Sequence, residues 1–253
     1  MSAKGKPFFV GYLGIPKGLK RFLVQTSLIV FAAFIAGGVL AGISQDDPGQ
    51  AGFRFDYGRQ TVSGIVEAKP YPLLHVTEGN ERIETGVTIM LTGQGKSGAM
   101  ANIAALEGTV VDATGIVLER GELQMLQLLG GKRGVSPSEI KQTVPEAISL
   151  GKWRLQGELC DGKCLAGAMQ PGRGLAHKAC ANLCLIGDIP PVFVSTQPIE
   201  GEEYLLVASA DGGPLPKSAY DYVGQFVEVQ SELERRGDLL VMKIDMATMR
   251  VVE

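Results

Sequence analysis

Histidine and tryptophan are scarce in this chain: 253 residues hold 2 His, at positions 75 and 177, and 1 Trp, at position 153. Two histidines confine any Ser-His-Asp chemistry to His75 or His177, and no motif stands behind it. The Cys-xx-Cys-His box that attaches haem is missing, and so are the paired Cys/His boxes of a Rieske cluster. No Gly-x-Ser-x-Gly elbow and no zinc-protease helix occur. Gly93-Gln-Gly95-Lys96-Ser97-Gly98 ends like a phosphate loop but lacks the leading glycine, so it reads as a solvated loop before a short helix. The acids are scattered and form no catalytic frame. No catalytic residue is assigned, and the reading leans away from an enzyme.

Charge is also missing from one long stretch. Phe22 to Gln45 contains no ionisable side chain, and Leu28 to Ile43 is almost purely apolar. As a helix these residues reach about 36 Å, enough to cross a hydrocarbon core of about 30 Å. Lys17, Lys20 and Arg21 precede the run, while Asp46 and Asp47 follow it. The cation bias predicts a cytoplasmic N-terminus and an exported C-terminal part. A cleaved signal peptide usually has a shorter apolar region and a shorter leader, so an uncleaved anchor in the bacterial inner membrane is expected. Gly38 and Gly42 form a small-xxx-small pair suited to packing on another membrane helix. The first 18 residues, with Phe8, Phe9 and Tyr12 among Lys, Gly and Pro, read equally as a disordered tail or as an interfacial segment.

The overall net charge of −3 hides a segregation. Residues 1–45 carry five cations and no acid, leaving 19 cations against all 27 acids in the remainder, a net of −8. Such a body gives no reason to expect nucleic acid, and its field suits a basic soluble partner such as an electron carrier.

Beyond a polar linker at 46–58, strand signals dominate: short alternating or β-branched runs bounded by Gly, Pro or Asp. An internal repeat organises them. Gly108–Leu123 aligns without gaps on Gly224–Leu239, matching Val111 with Val227 and Arg120-Gly121 with Arg236-Gly237. In both copies two alternating strands flank a glycine turn, which is a hairpin signature. Upstream, Val62-Ser-Gly64-Ile-Val resembles Leu155-Gln-Gly157-Glu-Leu as an opening strand. The expected fold is mainly β with one N-terminal transmembrane helix. It holds two small Greek-key barrels in tandem, of the five-stranded oligonucleotide/oligosaccharide-binding (OB) type. The expected organisation is a cytoplasmic segment 1–21, a transmembrane helix 22–45 and the linker. The first barrel at 59–135, a helical connector at 136–151 and the second barrel at 152–253 follow.

The second copy is about 23 residues longer than the first, and all four cysteines fall within the extra length. If Leu175 to Leu185 is helical, His177, Cys180 and Cys184 share one face. Cys180 and Cys184 then sit a turn apart, poorly placed to bond to each other and better placed to face Cys160 and Cys164 across a Gly-rich loop. Two readings stay open. One is a pair of disulfides, usual for exported cysteines. The other is a metal site drawing on His177, Met169, Cys164, Cys180 and Cys184, a donor set for copper or, without the thioether, zinc. A thiol–disulfide redox role is the weakest option, because the Cys-xx-Cys spacing is absent. Cys160-xxx-Cys164 followed by Met169 partly resembles the binuclear copper loop of cytochrome oxidase, but no histidine stands at the required place.

The stretch from Gly157-Glu-Leu-Cys-Asp161-Gly-Lys-Cys164 through Met169, His177-xx-Cys180-xxx-Cys184 and Gly187 to the closing hairpin resembles a poorly characterised family of exported or membrane-anchored bacterial proteins. The likeness spans residues 153–250. It implies an OB-like β domain outside the cytoplasm and brings no established activity. It also implies that Cys160 is not a fixed position, which favours one disulfide plus a ligand or free thiol. The functional expectation is an accessory or structural subunit of an integral membrane complex, one handling electron transfer. The alternative is an exported copper- or zinc-binding protein.

Overall fold

The structure, a computed structural model, describes residues 15–43 and 51–252. The aromatic segment around Phe8, Phe9 and Tyr12, and the acids Asp46 and Asp47 after the apolar run, lie outside the described residues. The chain divides into two units, Met1–Pro48 and Gly49–Glu253.

The described part of the first unit is one helix, α1 (Lys17–Ile43), and every residue in it is unburied. Its 27 residues rise about 40 Å. The helix is long and apolar enough to cross a membrane.

The second unit is mainly β. Its first half contains β1 (Gly52–Phe53), β2 (Gln60–Glu67), β3 (Leu73–Glu78), β4 (Thr88–Thr92), the short helix α2 (Met100–Ile103), β5 (Thr109–Arg120), β6 (Leu123–Leu128) and β7 (Val135–Lys141). Strands β2, β3, β4, β6 and β5 pair in that order, and β5 closes on β2. The β4–β6 pair is parallel and the other four are antiparallel.

The second half repeats this order with β8 (Ile148–Asp161), β9 (Pro191–Ile199), β10 (Glu202–Ser209), β11 (Phe226–Arg236), β12 (Leu239–Ile244) and β13 (Arg250–Val251). Here β8, β9, β10, β12 and β11 close the ring, and β10–β12 is the parallel pair. Two closed five-stranded barrels therefore stand in tandem, consistent with the OB-like expectation. The repeat maps onto matching hairpins: Arg120 pairs with Leu123 across Gly121, and Arg236 with Leu239 across Gly237. Both turn glycines have positive φ, which side chains with a Cβ rarely adopt.

Closure also explains the opening-strand glycines. A Cβ on Gly64 would lie 2.5 Å from the His75 carbonyl oxygen, and one on Gly157 would lie 2.1 Å from that of Val194. The neighbouring strand's backbone thus crosses where a side chain would stand.

Two expectations are corrected. The stretch 136–151 is not a helical connector: Val135–Lys141 pairs with β5, and Ile148 onward already belongs to β8. Pro137 and Pro145 weaken a helix there, and pairing along β5 satisfies the backbone instead. The described end of the linker is also structured. Phe53 pairs with Leu118, and the Arg54 guanidinium forms ion pairs with Glu119 and Asp56.

One apolar cluster runs from Leu73, Met90 and Leu118 of the first barrel to Leu159, Phe193 and Leu206 of the second. A polar seam reinforces the junction. His75 is buried, with Nε2 2.7 Å from Glu67 Oε2 and Nδ1 3.1 Å from Thr88 Oγ1. Glu67 also pairs with Arg236 at the tip of the second barrel's hairpin. The Thr88 backbone N–H donates to Asp238 Oδ1 at 2.6 Å.

Candidate functional site

The extra length of the second copy lies between β8 and β9, and it begins on Asp161, a fully buried acid at the end of β8. Asp161 Oδ1 accepts the Cys164 backbone N–H at 2.8 Å, and its Oδ2 lies 3.0 Å from His177 Nε2. One carboxylate therefore holds both ends of the Gly-rich loop. The chain makes a wide helical turn at Cys164–Ala168, whose Gly167 has φ 139°. A Cβ there would lie 2.2 Å from the Gly52 backbone nitrogen, so only glycine admits the passing strand.

The loop then enters α3 (Lys178–Ile186), with His177 at its N-cap. Cys180 and Cys184 lie one turn apart on this helix and face Cys164. Cys164 Sγ and Cys184 Sγ are 3.8 Å apart, and the three sulfurs all lie within 4.8 Å of one another. Asp161, Cys164 and His177 form a second set with the same closeness, so Cys164 belongs to both. Cys164, Cys184, Asp161 and His177 are buried, while Cys180 is half-buried and gives the cluster its contact with solvent.

Two lysines complete the site. The Lys96 ammonium donates to Cys180 Sγ at 2.9 Å, to Cys184 Sγ at 3.4 Å and to the Cys180 carbonyl at 3.3 Å. Its pKa is raised, foremost by the bond to Cys180. Lys163, buried at 2% exposure, donates to the carbonyls of Gly93 and Gly95, each at 2.7 Å. Burial pushes its ammonium down to about 8. The loop Gly93–Gly98 is thus clamped from the second barrel, and the Gly98 N–H donates to the Gly187 carbonyl at 2.6 Å.

The two buried thiols are unequal. Either sulfur of the pair can donate to the other. With Cys164 as the donor, this bond, followed by burial, pushes the Cys164 pKa up, while Cys184 is held below its ordinary value by the same bond, with Lys96 adding to the effect against burial. A sulfur that accepts from a thiol and an ammonium is the one that carries charge most readily.

The structure sorts the expected residues. Cys164, Cys180, Cys184 and His177 come together. Cys160 stands outside both clusters: its thiol donates to Glu158 Oε1 at 3.2 Å within the apolar core, and burial pushes its pKa well up. All four cysteines are free in the structure. Cys160 alternates with the barrel strand and is spent on packing. Met169, expected as a thioether ligand, is 42% exposed, unlike the buried donors.

Sequence reasoning missed three participants. Asp161 was visible only as the acid before Cys164 in the quoted pattern. Lys163 gave no signal and Lys96 stood out only in the phosphate-loop-like stretch, because their partners are 70 and 84 residues distant. The chain matches no family model, no curated protein and no solved structure.

Proposed function

We propose that this chain is a membrane-anchored, exported protein that binds a thiophilic metal ion, copper(I) or zinc(II), through Cys164, Cys180 and Cys184. One observation carries the reading. Two sulfurs bound to one ion at about 2.3 Å and a tetrahedral angle are about 3.8 Å apart. That is the separation of Cys164 Sγ and Cys184 Sγ. Three thiolates suit soft or borderline ions. His177, held by the Asp161 carboxylate, belongs with Asp161 and Cys164 to the adjoining set and steadies the loop that carries Cys164. Half-buried Cys180 supplies the entry path, and ion binding displaces the Lys96 ammonium from two sulfurs.

The test is elemental analysis of the detergent-solubilised, reduced chain after separate exposure to copper(I) and zinc(II). Stoichiometric metal is expected, retained in Cys160→Ser and lost in Cys164→Ser and Cys184→Ser. Parent protein that emerges metal-free from both exposures sinks the reading.

A second reading concerns α1. Its residues are unburied, and a Cβ on Gly38 or Gly42 would meet nothing within 4 Å, which leaves a small-residue face open to another membrane helix. This supports a role as an accessory subunit of an integral membrane complex, with the acidic exported barrels able to attract a basic electron carrier. Gentle solubilisation of native membranes tests it: co-migration with a partner is expected, and migration alone counts against it.

A further inference from the structure

The three clustered sulfurs differ in access, and that difference gives them an order of action. Cys180 is half-buried with the Lys96 ammonium 2.9 Å from its sulfur. Cys164 and Cys184 are buried behind it, 3.8 Å apart, and each sulfur is within 4.8 Å of the Cys180 sulfur. A disulfide needs a sulfur separation of about 2.05 Å, so the buried pair closes by a side-chain movement of under about 2 Å. Cys180 and Cys184, a turn apart on one helix, are poorly disposed to bridge to each other.

We infer that the trio is a thiol–disulfide exchange relay, with Cys180 as the entry nucleophile and Cys164–Cys184 as the resident redox pair. The co-reactant is a disulfide small or exposed enough to reach Cys180. The Cys180 thiolate attacks one sulfur of that disulfide, forms a mixed disulfide and expels the first thiolate. The Cys164 sulfur attacks Cys180 Sγ, forms Cys164–Cys180 and expels the second thiolate. The Cys184 sulfur then attacks Cys164 Sγ, forms Cys164–Cys184 and returns Cys180 as a thiolate. The two protons lost by Cys164 and Cys184 end on the two departing thiolates. The external disulfide gains two electrons, and the buried pair loses two. The Lys96 ammonium, 2.9 Å from the entry sulfur, lies where negative charge gathers on Cys180 when it attacks and again when it leaves in the last step. The relay uses the same sulfurs as the metal reading and requires no bound ion.

The experiment takes the full-length chain in detergent, stripped of metal and reduced, and exposes it to oxidised glutathione. Thiols are counted over time, and the bridge is located by peptide mass mapping. Two thiols are expected to disappear, with an intact mass lower by about 2 Da and a Cys164–Cys184 bridge. Cys180→Ser, a change at a half-buried position, is expected to slow bridge formation about tenfold or more. Cys164→Ser is expected to stop at a glutathione adduct on Cys180, a gain of about 305 Da. Four surviving thiols, a bridge to Cys160, or a Cys180→Ser variant reacting at the parent rate overturns the inference. So does a Cys180–Cys184 bridge in Cys164→Ser. Metal content is measured on a separate sample. Protein that exchanges without binding metal removes the metal reading alone, and protein that binds metal without exchanging removes the relay alone.

Discussion

Lys96 and Cys180 are 84 residues apart in the chain, and the lysine Nζ lies 2.9 Å from the cysteine Sγ. The contact joins a loop of the first barrel to the insert of the second. The duplicated barrel therefore does more than double the surface: its first copy supplies the cation bound to two of the sulfurs, all of which belong to the second.

Replacing that cation tests its influence on the sulfurs. In Lys96→Met no ammonium must be displaced when a metal ion binds, so affinity is expected to rise about three- to tenfold. The size is limited by the exposure of the lysine to solvent. Competition against a chromophoric chelator measures it, and unchanged or weaker binding would show that the ammonium does not compete.

Asp161 serves two buried groups, the Cys164 N–H and His177 Nε2. Asp161→Ala leaves both without their partner and is expected to cost about 2–5 kcal/mol in urea unfolding. Metal affinity is expected to fall about 10- to 100-fold in protein that stays folded. Retained stability would mean that the loop is held by other contacts.

The opening-strand glycine of the second barrel has no room for a methyl group against the Val194 backbone. Gly157→Ala is expected to lower stability by about 2 kcal/mol or more, read by thermal unfolding. A neutral outcome would require β8 and β9 to separate without penalty.

Glu202 lies beside Glu122, and burial followed by that neighbour raises its carboxyl to about 7 from 4.5. The folded state therefore holds a proton that the unfolded state has released between these values, and stability falls as pH rises through this window. Glu202→Gln is expected to raise the unfolding midpoint at pH 8 and leave it unchanged at pH 4. The gain is at most about 1 kcal/mol, because solvent screens a carboxylate this exposed. A stabilisation at pH 4 as large as that at pH 8 would point to a cause other than charge.

The proposed topology has its own readout. Protease added outside spheroplasts is expected to degrade the barrels and spare a tag at the N-terminus. The reverse pattern would place the acidic body in the cytoplasm.

The amino-acid sequence by itself determined the apolar helix, both closing hairpins, the tandem repeat and the place of the insert. Those features rest on local causes: an uncharged run, period-two alternation and glycines needed for positive φ. Helical spacing also placed Cys180 and Cys184 on one face, a relation internal to one element. It misjudged 136–151, because the pairing of Val135–Lys141 comes from β5 and overrides a proline-interrupted helical pattern. Only the tertiary structure decided which sulfurs meet. Closure of the second barrel turns Cys160 into its core, the Asp161 carboxylate folds the loop back so that Cys164 reaches α3, and docking of the two barrels brings in Lys96 and sets the Gly93 and Gly95 carbonyls against Lys163. Side chains so distant in the chain share a site only once two closed sheets have fixed their backbones, and no local pattern carries that information.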